Sequence, residues 1–188
     1  MKRVALVVGH DKRKKGVRLK GGYYEWDYNS KLVNEIFDIL QKTPLKDSVA
    51  IFYRNPDIIG YSNKMRELHY NIEHTLQPHL AIEFHINGSN KRGVNGHEVL
   101  YYYKSKAGKE LATNLNNIFN KLLQNRDRGI KQKTKTDRGG GFLHRGSYPC
   151  LITEPFFAQN INRYDIGTQG YQNLLGAYLE FIINFIES

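Results

Sequence analysis

Three short apolar runs constrain the fold of this chain most, because each stops at a side chain that can bind a metal or carry a proton. They are Val4–His10, Leu80–Asn87, whose apolar part stops at His85, and Cys150–Glu154. Short apolar runs bounded by glycine, proline and polar turns predict buried strands. Functional sites of open α/β sheets form where strands end. The sequence therefore predicts one shared site that contains His10, His85 and Glu154.

Amphipathic helices alternate with strands along the chain. Apolar residues at helical spacing predict four helices: Trp26–Lys42, Tyr61–Leu76, Ala107–Leu123 and about Gln169–Glu187. Further strands are predicted at Val49–Tyr53 and at His97–Tyr103, the latter near a sheet edge because its tyrosines suit a half-exposed face. Alternating strands and helices with short links predict a parallel sheet with right-handed crossovers. The expected fold is a single α/β domain with a mostly parallel central sheet and helices on both faces.

Basic residues concentrate in two stretches that lack a helical or strand pattern. Asp11–Gly22 holds six lysines and arginines, and Gln124–Ser147 is similarly basic and rich in glycine. Both are predicted to be loops, and loops as long as the second are usually functional or disordered. The formal net charge of +10 favours a polyanionic partner such as nucleic acid, membrane headgroups or the anionic polymers of a cell wall.

Length and composition set limits on where such a chain works. The 188 residues suit one domain, and the one cysteine, Cys150, cannot form an internal disulfide and is predicted to be a buried apolar residue. No stretch reaches the roughly 18–20 apolar residues of a membrane span. The apolar run Val4–Val8 is shorter than the roughly 7–15 residues of a signal-peptide core, so synthesis in the cytoplasm without a signal peptide is expected.

The histidines divide into two groups. Two of the seven, His10 and His85, end apolar strands. The other five are predicted to lie at exposed or polar positions: His69, His74 and His79 on or after the second helix, and His97 and His144. A lone histidine at a strand end is more often a hydrogen-bonded core residue than a ligand, but two at parallel strand ends favour a shared metal site.

Catalytic zinc commonly takes two histidines and one carboxylate, with the fourth position left for water. The candidate carboxylates are Glu25, Asp27, Glu83, Glu98 and Glu154. Glu25 stands at the start of the first predicted helix, close after the loop that leaves His10. A carboxylate there also interacts favourably with the helix dipole without any metal, so both interpretations stay open.

An ordered set of short motifs resembles one family of enzymes. The motifs are His10 in VVGHD, Glu25 in YYEWDYN, Arg66 and Asn71 in Arg-x-x-x-x-Asn, His85 in EFHIN, Gly96-His97-Glu98-Val99, and Glu154 in TEPFFAQN. Together they resemble the zinc-dependent N-acetylmuramoyl-L-alanine amidases of the amidase-3 type, which include catalytic domains of phage endolysins and bacterial autolysins. The resemblance covers nearly the whole chain.

The resemblance implies an α/β domain with a mixed sheet that cleaves peptidoglycan between N-acetylmuramic acid and L-alanine. It implies a zinc ion (Zn2+) held by His10, Glu25 and His85, and it makes Glu154 the catalytic glutamate. Residues 1–188 are then expected to form one catalytic domain without a separate wall-binding domain. An endolysin of this kind would reach the wall through a membrane pore, and its basic loops would contact anionic wall polymers.

The chain departs from the family pattern in two places. The pair Asp11-Lys12 replaces the usual Gly-Gly, and Glu83 replaces the usual serine two residues before His85. Strand alternation puts Glu83 on the same side as His85. It is predicted either to accept a hydrogen bond from the imidazole N–H or to form an ion pair.

Two alternatives remain at this point. A zinc peptidase of another specificity would use the same ligand types. A basic nucleic-acid-binding module would explain the net charge, but it predicts basic and aromatic residues interleaved on one surface. Here the basic residues concentrate in two loops, so no nucleic acid is expected as a partner.

Overall fold

A six-stranded sheet runs through the centre of the protein in the computed structural model, which describes residues 1–91 and 93–188. Its strands are β1 (Val4–Val8), β2 (Val49–Tyr53), β3 (Leu80–Phe84), β4 (His97–Tyr102), β5 (Asp127–Lys133) and β6 (Cys150–Glu154). They lie in the order β2-β1-β3-β6-β4-β5. Neighbouring strands are parallel except β4 and β6, which are antiparallel. The mostly parallel, mixed sheet is therefore confirmed.

The central strands are apolar along their whole length because both of their faces are covered. Every residue of β1 and β3 is buried. The covering helices are α1 (Glu25–Leu40), α2 (Tyr61–Thr75), α3 (Lys106–Leu123), α4 (Gly140–Leu143), α5 (Ile161–Tyr164) and α6 (Gln169–Glu187), with short 3₁₀ turns at Lys46–Ser48 and Ala158–Asn160. Residues of α1, α3, α5 and α6 build the larger core on one face, and α2 and α4 cover the other.

The four long helices follow the predicted apolar spacing. Two of them have side-chain caps: Ser105 accepts a hydrogen bond from the backbone N–H of Gly108, and Thr168 accepts one from Tyr171. The first helix begins at Glu25, one residue before the predicted start. None of the helices in the described part of the chain is long and apolar enough to cross a membrane.

The strand β4 lies near an edge, as predicted, between β6 and the edge strand β5. One prediction about the sheet is wrong, because the stretch Gln124–Ser147, predicted as a loop, contains the edge strand β5 and the short helix α4. The strand β5 pairs on one side with β4 and has a single apolar residue, Ile130. Without apolar alternation its sequence gives no strand signal, so only the pairing with β4 defines it.

Two histidines predicted at exposed or polar positions are buried. His69 is 4% exposed, and its ring lies between the hydroxyl group of Tyr148 and the backbone carbonyl of Phe142. His97 is fully buried against the ring of Phe119. Each is a polar residue in an otherwise apolar layer, and each has hydrogen-bonding neighbours that are distant in sequence. The prediction that Cys150 is buried is confirmed.

Candidate metal centre and active site

The carboxyl ends of β1, β3 and β6 bring the three predicted strand-end residues to one edge of the sheet. Val8 pairs with Phe84, and Phe84 pairs with Thr153, so the residues that follow lie side by side. His10, His85 and Glu154 line a single cleft of about 520 Å³. The three side chains predicted to share a site therefore line the same cleft.

The turn after β1 directs His10 into this cleft. His10 has a φ of 68°, in the left-handed region that residues other than glycine seldom adopt. The preceding residue, Gly9, donates a backbone hydrogen bond of 3.0 Å to the carbonyl of Phe84. A Cβ at Gly9 would lie 2.4 Å from that oxygen, so only glycine permits this close approach. The rings of His10 and His85 then meet edge to face, with centroids 4.9 Å apart.

Glu25 joins the two histidines from the first turn of α1. Its Oε1 accepts hydrogen bonds of 2.9 Å from the backbone N–H of Ile86 and from His85 Nδ1. Its Oε2 accepts one of 3.1 Å from the backbone N–H of Val17 and lies 3.1 Å from His10 Nε2. The ligand atoms of His10, Glu25 and His85 all lie within 4.8 Å of one another. These three side chains form the candidate metal centre.

The ionisable groups of the candidate metal centre strongly shift one another's pKa values. Burial raises the pKa of Glu25, but the close imidazole of His10 and the hydrogen-bonded imidazole of His85 outweigh it and hold the pKa well below its usual range. Burial lowers the pKa of His85, but its contacts with Glu25 and Glu83 reverse this and raise it to about 10. At neutral pH the centre therefore favours ionised carboxylates beside a protonated His85.

Glu154 faces the centre from β6 without contacting it as a ligand. Burial raises its pKa to about 7, and the nearby carboxylates of Glu25 and Glu98 also act to raise it, against the opposing charge of His85. Its Oε2 is buried and has no hydrogen-bond partner within residues 1–91 and 93–188. A carboxylate whose pKa lies near neutrality is suited to accept and return a proton.

The other candidate carboxylates have partners of their own. Glu98 accepts hydrogen bonds from Asn87 and Arg128, at 3.0 and 2.8 Å. Asp27 pairs with Lys15 at 2.7 Å and caps the start of α1. Glu83 is fully buried and pairs with Arg54, while its second oxygen lies 3.2 Å from His85 Nε2. The predicted ion pair of Glu83 is thus present, whereas the predicted hydrogen bond from the imidazole is not formed, although the two groups are close.

Asp11, the first departure from the family pattern, organises the loop after β1. Its carboxylate accepts backbone hydrogen bonds of 2.9 Å from Arg13 and Lys14 and pairs with Lys64 at 2.5 Å. The two basic stretches differ in how close they come to the cleft. Lys133 and Arg138 line it directly, whereas Arg13 and Lys14 line an adjoining depression that also includes His10.

Some cleft residues were missed by the sequence analysis, and some motif residues lie elsewhere. Arg54 and Tyr61 line the cleft, and Arg54 follows β2 directly, so the strand-end rule that identified His85 could also have found it. Arg66 and Asn71 are exposed on α2 and lie outside the lining of the cleft, where Asn71 donates to Glu67.

Comparisons with known proteins identify the family. The sequence profile of the N-acetylmuramoyl-L-alanine amidase family Amidase_3 matches residues 4–184. No curated protein matches the chain by sequence at a significant level.

Solved structures share the fold. An N-acetylmuramoyl-L-alanine amidase from Clostridium difficile 630 is 19% identical, with a TM-score of 0.77 over 100% of this chain and 98% of that one. The catalytic domain of the amidase CwlV from Bacillus (Paenibacillus) polymyxa var. colistinus is also 19% identical, with a TM-score of 0.76 over 100% and 99%. The catalytic domain of an endolysin targeting Clostridia difficile is 24% identical, with a TM-score of 0.74 over 98% of both chains. The profile match spans nearly all of the chain and the folds agree, so this chain belongs to the N-acetylmuramoyl-L-alanine amidase family, the peptidoglycan hydrolases that cleave the bond between N-acetylmuramic acid and L-alanine.

Proposed function

We propose that this amidase works with a zinc ion held by His10, Glu25 and His85, and that Glu154 is its general base and acid. The observation that carries the proposal is the convergence of two imidazoles and one carboxylate, with ligand atoms within 4.8 Å of one another, at the end of a cleft. Two histidines and a glutamate are a common ligand set of catalytic zinc.

The donor set fits a metal in a second respect. His10 Nε2 is buried and has no hydrogen-bond partner among the described residues, although Glu25 Oε2 is only 3.1 Å away. A buried polar atom without a partner is costly, and a cation between the imidazole and the carboxylate would satisfy both. The backbone N–H groups of Val17 and Ile86 hold the two oxygens of Glu25 in place. They orient the carboxylate as the outer partners of metal ligands commonly do.

A zinc ion bound there would act as a Lewis acid on the scissile carbonyl and on the attacking water. Glu154 takes the proton from that water and delivers it to the nitrogen of L-alanine as the C–N bond breaks. The hydroxyl group of the water stays on the carbonyl carbon of the lactyl group. The pKa of Glu154, raised to about 7, lets the same carboxyl group accept and then donate this proton.

The cleft also supports recognition of an anionic substrate. Lys133 and Arg138 line it on the β5–α4 side, and both belong to the basic stretch Gln124–Ser147. We propose that these side chains contact acidic groups of peptidoglycan and of accompanying wall polymers. Residues 1–188 are proposed to act as one catalytic domain built on the single six-stranded sheet.

Metal removal and product analysis test this proposal together. Dialysis against a chelator should abolish hydrolysis of isolated walls, and added zinc should restore it. The products should contain new L-alanine amino groups and no new glycan reducing ends. New amino groups on residues other than L-alanine would mean a peptidase, and full activity after complete metal removal would refute the zinc centre.

A further inference from the structure

A buried carboxylate lies next to the candidate metal centre without being one of its ligands. Glu83 is the penultimate residue of the buried strand β3 and is 0% exposed. A carboxylate at such a position is stable only when charges and hydrogen bonds compensate for the loss of water. Arg54 supplies part of this compensation, because its Nε and Nη2 both donate to Glu83 Oε1, the former at 2.9 Å.

The second oxygen of Glu83 faces His85. Glu83 Oε2 lies 3.2 Å from His85 Nε2, close enough for a hydrogen bond, although the two groups are not aligned for one. In the described part of the chain this oxygen has no hydrogen-bond partner. The opposite nitrogen, His85 Nδ1, is 2.9 Å from Glu25 Oε1. Two carboxylates thus bracket one ring.

The packing around the ring distinguishes its two nitrogens. A Cβ at Gly9 would lie 2.6 Å from both Cε1 and Nε2 of His85, so the Nε2 edge is packed against the backbone of Gly9, just after β1. Nδ1 instead contacts Glu25, the carboxylate of the candidate metal centre. A neutral imidazole has one N–H and one free lone pair. Glu25 is itself one of the proposed metal ligands, so we expect Nε2, which faces Glu83, to keep the proton. Nδ1 then becomes available to a metal.

We propose that Glu83, held by Arg54, is a positioning residue that accepts a hydrogen bond from the Nε2–H of His85. This hydrogen bond keeps the proton on Nε2 and so presents Nδ1 to the zinc ion. The inference rests on the proposed function, since it assigns a role relative to the metal bound there. The Arg54 guanidinium fixes the orientation of the carboxylate and balances its charge. The carboxylate in turn fixes the tautomer and the orientation of the ligand ring.

The tautomer can be read directly by ¹⁵N NMR of the zinc-loaded protein labelled at histidine. We expect the His85 signals to show a protonated Nε2 and a metal-bound Nδ1. A metal-bound Nε2 would overturn the inference, because that atom would then carry no N–H to donate a hydrogen bond to Glu83.

A double variant tests the energetic part. Arg54→Met combined with Glu83→Leu removes both charges, so neither partner is left buried and unpaired, and the domain should stay folded in thermal unfolding. We expect its zinc affinity, measured by chelator competition, to fall about 10–100-fold. Glu35→Gln, a carboxylate change on α1 whose partner is the Tyr171 hydroxyl, should leave the affinity unchanged.

Two single variants complete the test. Glu83→Gln keeps the shape of the side chain and should bind zinc more weakly than the wild type in the same assay. His10→Ala should lose zinc binding altogether. Unchanged affinity in the folded double variant, with zinc lost in His10→Ala, would overturn the inference and leave the proposed function intact. A wild-type protein that binds no zinc would overturn both.

Discussion

At the scale of single residues, the site separates two glutamates by their surroundings. Glu25 accepts hydrogen bonds from two backbone N–H groups and His85 and lies close to His10, and its pKa lies well below its usual range. Glu154 is half-buried beside other carboxylates, and its pKa rises to about 7. The first therefore suits a permanently ionised ligand and the second a group that exchanges protons. Sequence identified both residues, but only the fold distinguishes their environments.

Replacing the ligand should have a different effect from replacing the proton-transfer group. We expect His85→Ala to lower zinc content and abolish wall lysis. Glu154→Gln should retain zinc and a folded domain but lose about 10²–10⁴-fold in activity, because the water has no proton acceptor. Zinc content by elemental analysis and turbidity loss of isolated walls measure the two effects. Loss of zinc in Glu154→Gln would instead make Glu154 a ligand.

His69 should make stability depend on pH. Burial lowers its pKa to about 4, against about 6.5 in an unfolded chain. Between these values the unfolded chain binds a proton that the folded protein does not, so stability falls as the pH drops from about 6.5 to 4. The loss attributable to this residue is at most roughly 3 kcal/mol.

The variant His69→Gln isolates this contribution. Glutamine keeps a donor for the carbonyl of Phe142 and an acceptor for the Tyr148 hydroxyl, the two partners of the neutral imidazole. Urea unfolding at pH 7 and pH 4.5 should show a smaller loss of stability in the variant than in the wild type. Equal losses in both proteins would show that His69 is not responsible.

At the scale of elements, predictability follows the strength of the apolar pattern. The buried strands β1, β3 and β6 and the four long helices have continuous or periodic apolar residues, and each lies close to its predicted position. The strand β5, sequence DRGIKQK, has no such pattern and is held by pairing with β4. The buried His69 and His97 were missed for a related reason, since their partners are distant in sequence.

A side chain at Gly9, where the chain leaving β1 contacts the end of β3, should destabilise the protein. We expect Gly9→Ala to destabilise the protein by about 1–3 kcal/mol, because the added Cβ would overlap the carbonyl of Phe84 and the ring of His85. Zinc affinity should fall in the same variant. The same substitution at Gly176 in α6 meets no atom within 4 Å and should stabilise the helix by about 0.5–1 kcal/mol. Denaturant unfolding that shows equal effects at both positions would contradict the close contact.

At the scale of the whole molecule, part of the excess positive charge lies in and beside the cleft. Lys133 and Arg138 line the cleft, and Lys14 lines the depression beside it. Some charges of the first basic stretch are already neutralised, since Arg13 pairs with Asp57 and Lys15 with Asp27. Basic residues therefore lie beside the cleft, but part of their charge is already paired with carboxylates of the protein.

Neutralising basic residues beside the cleft should weaken wall binding more than the same change elsewhere. We expect Lys133→Gln with Arg138→Gln to reduce wall binding and lysis at low salt. Lysis by the wild type should fall towards this level as salt rises, because exposed charges are screened within about 8 Å at physiological ionic strength. Lys42→Gln with Lys46→Gln is the matched control, since both residues are exposed. Lys46 lies just before the amino end of β2, whereas the cleft lies at the carboxyl ends of the parallel strands. The two pairs change the net charge equally, so equal losses of lysis would mean that overall charge, rather than the border of the cleft, draws the enzyme to the wall.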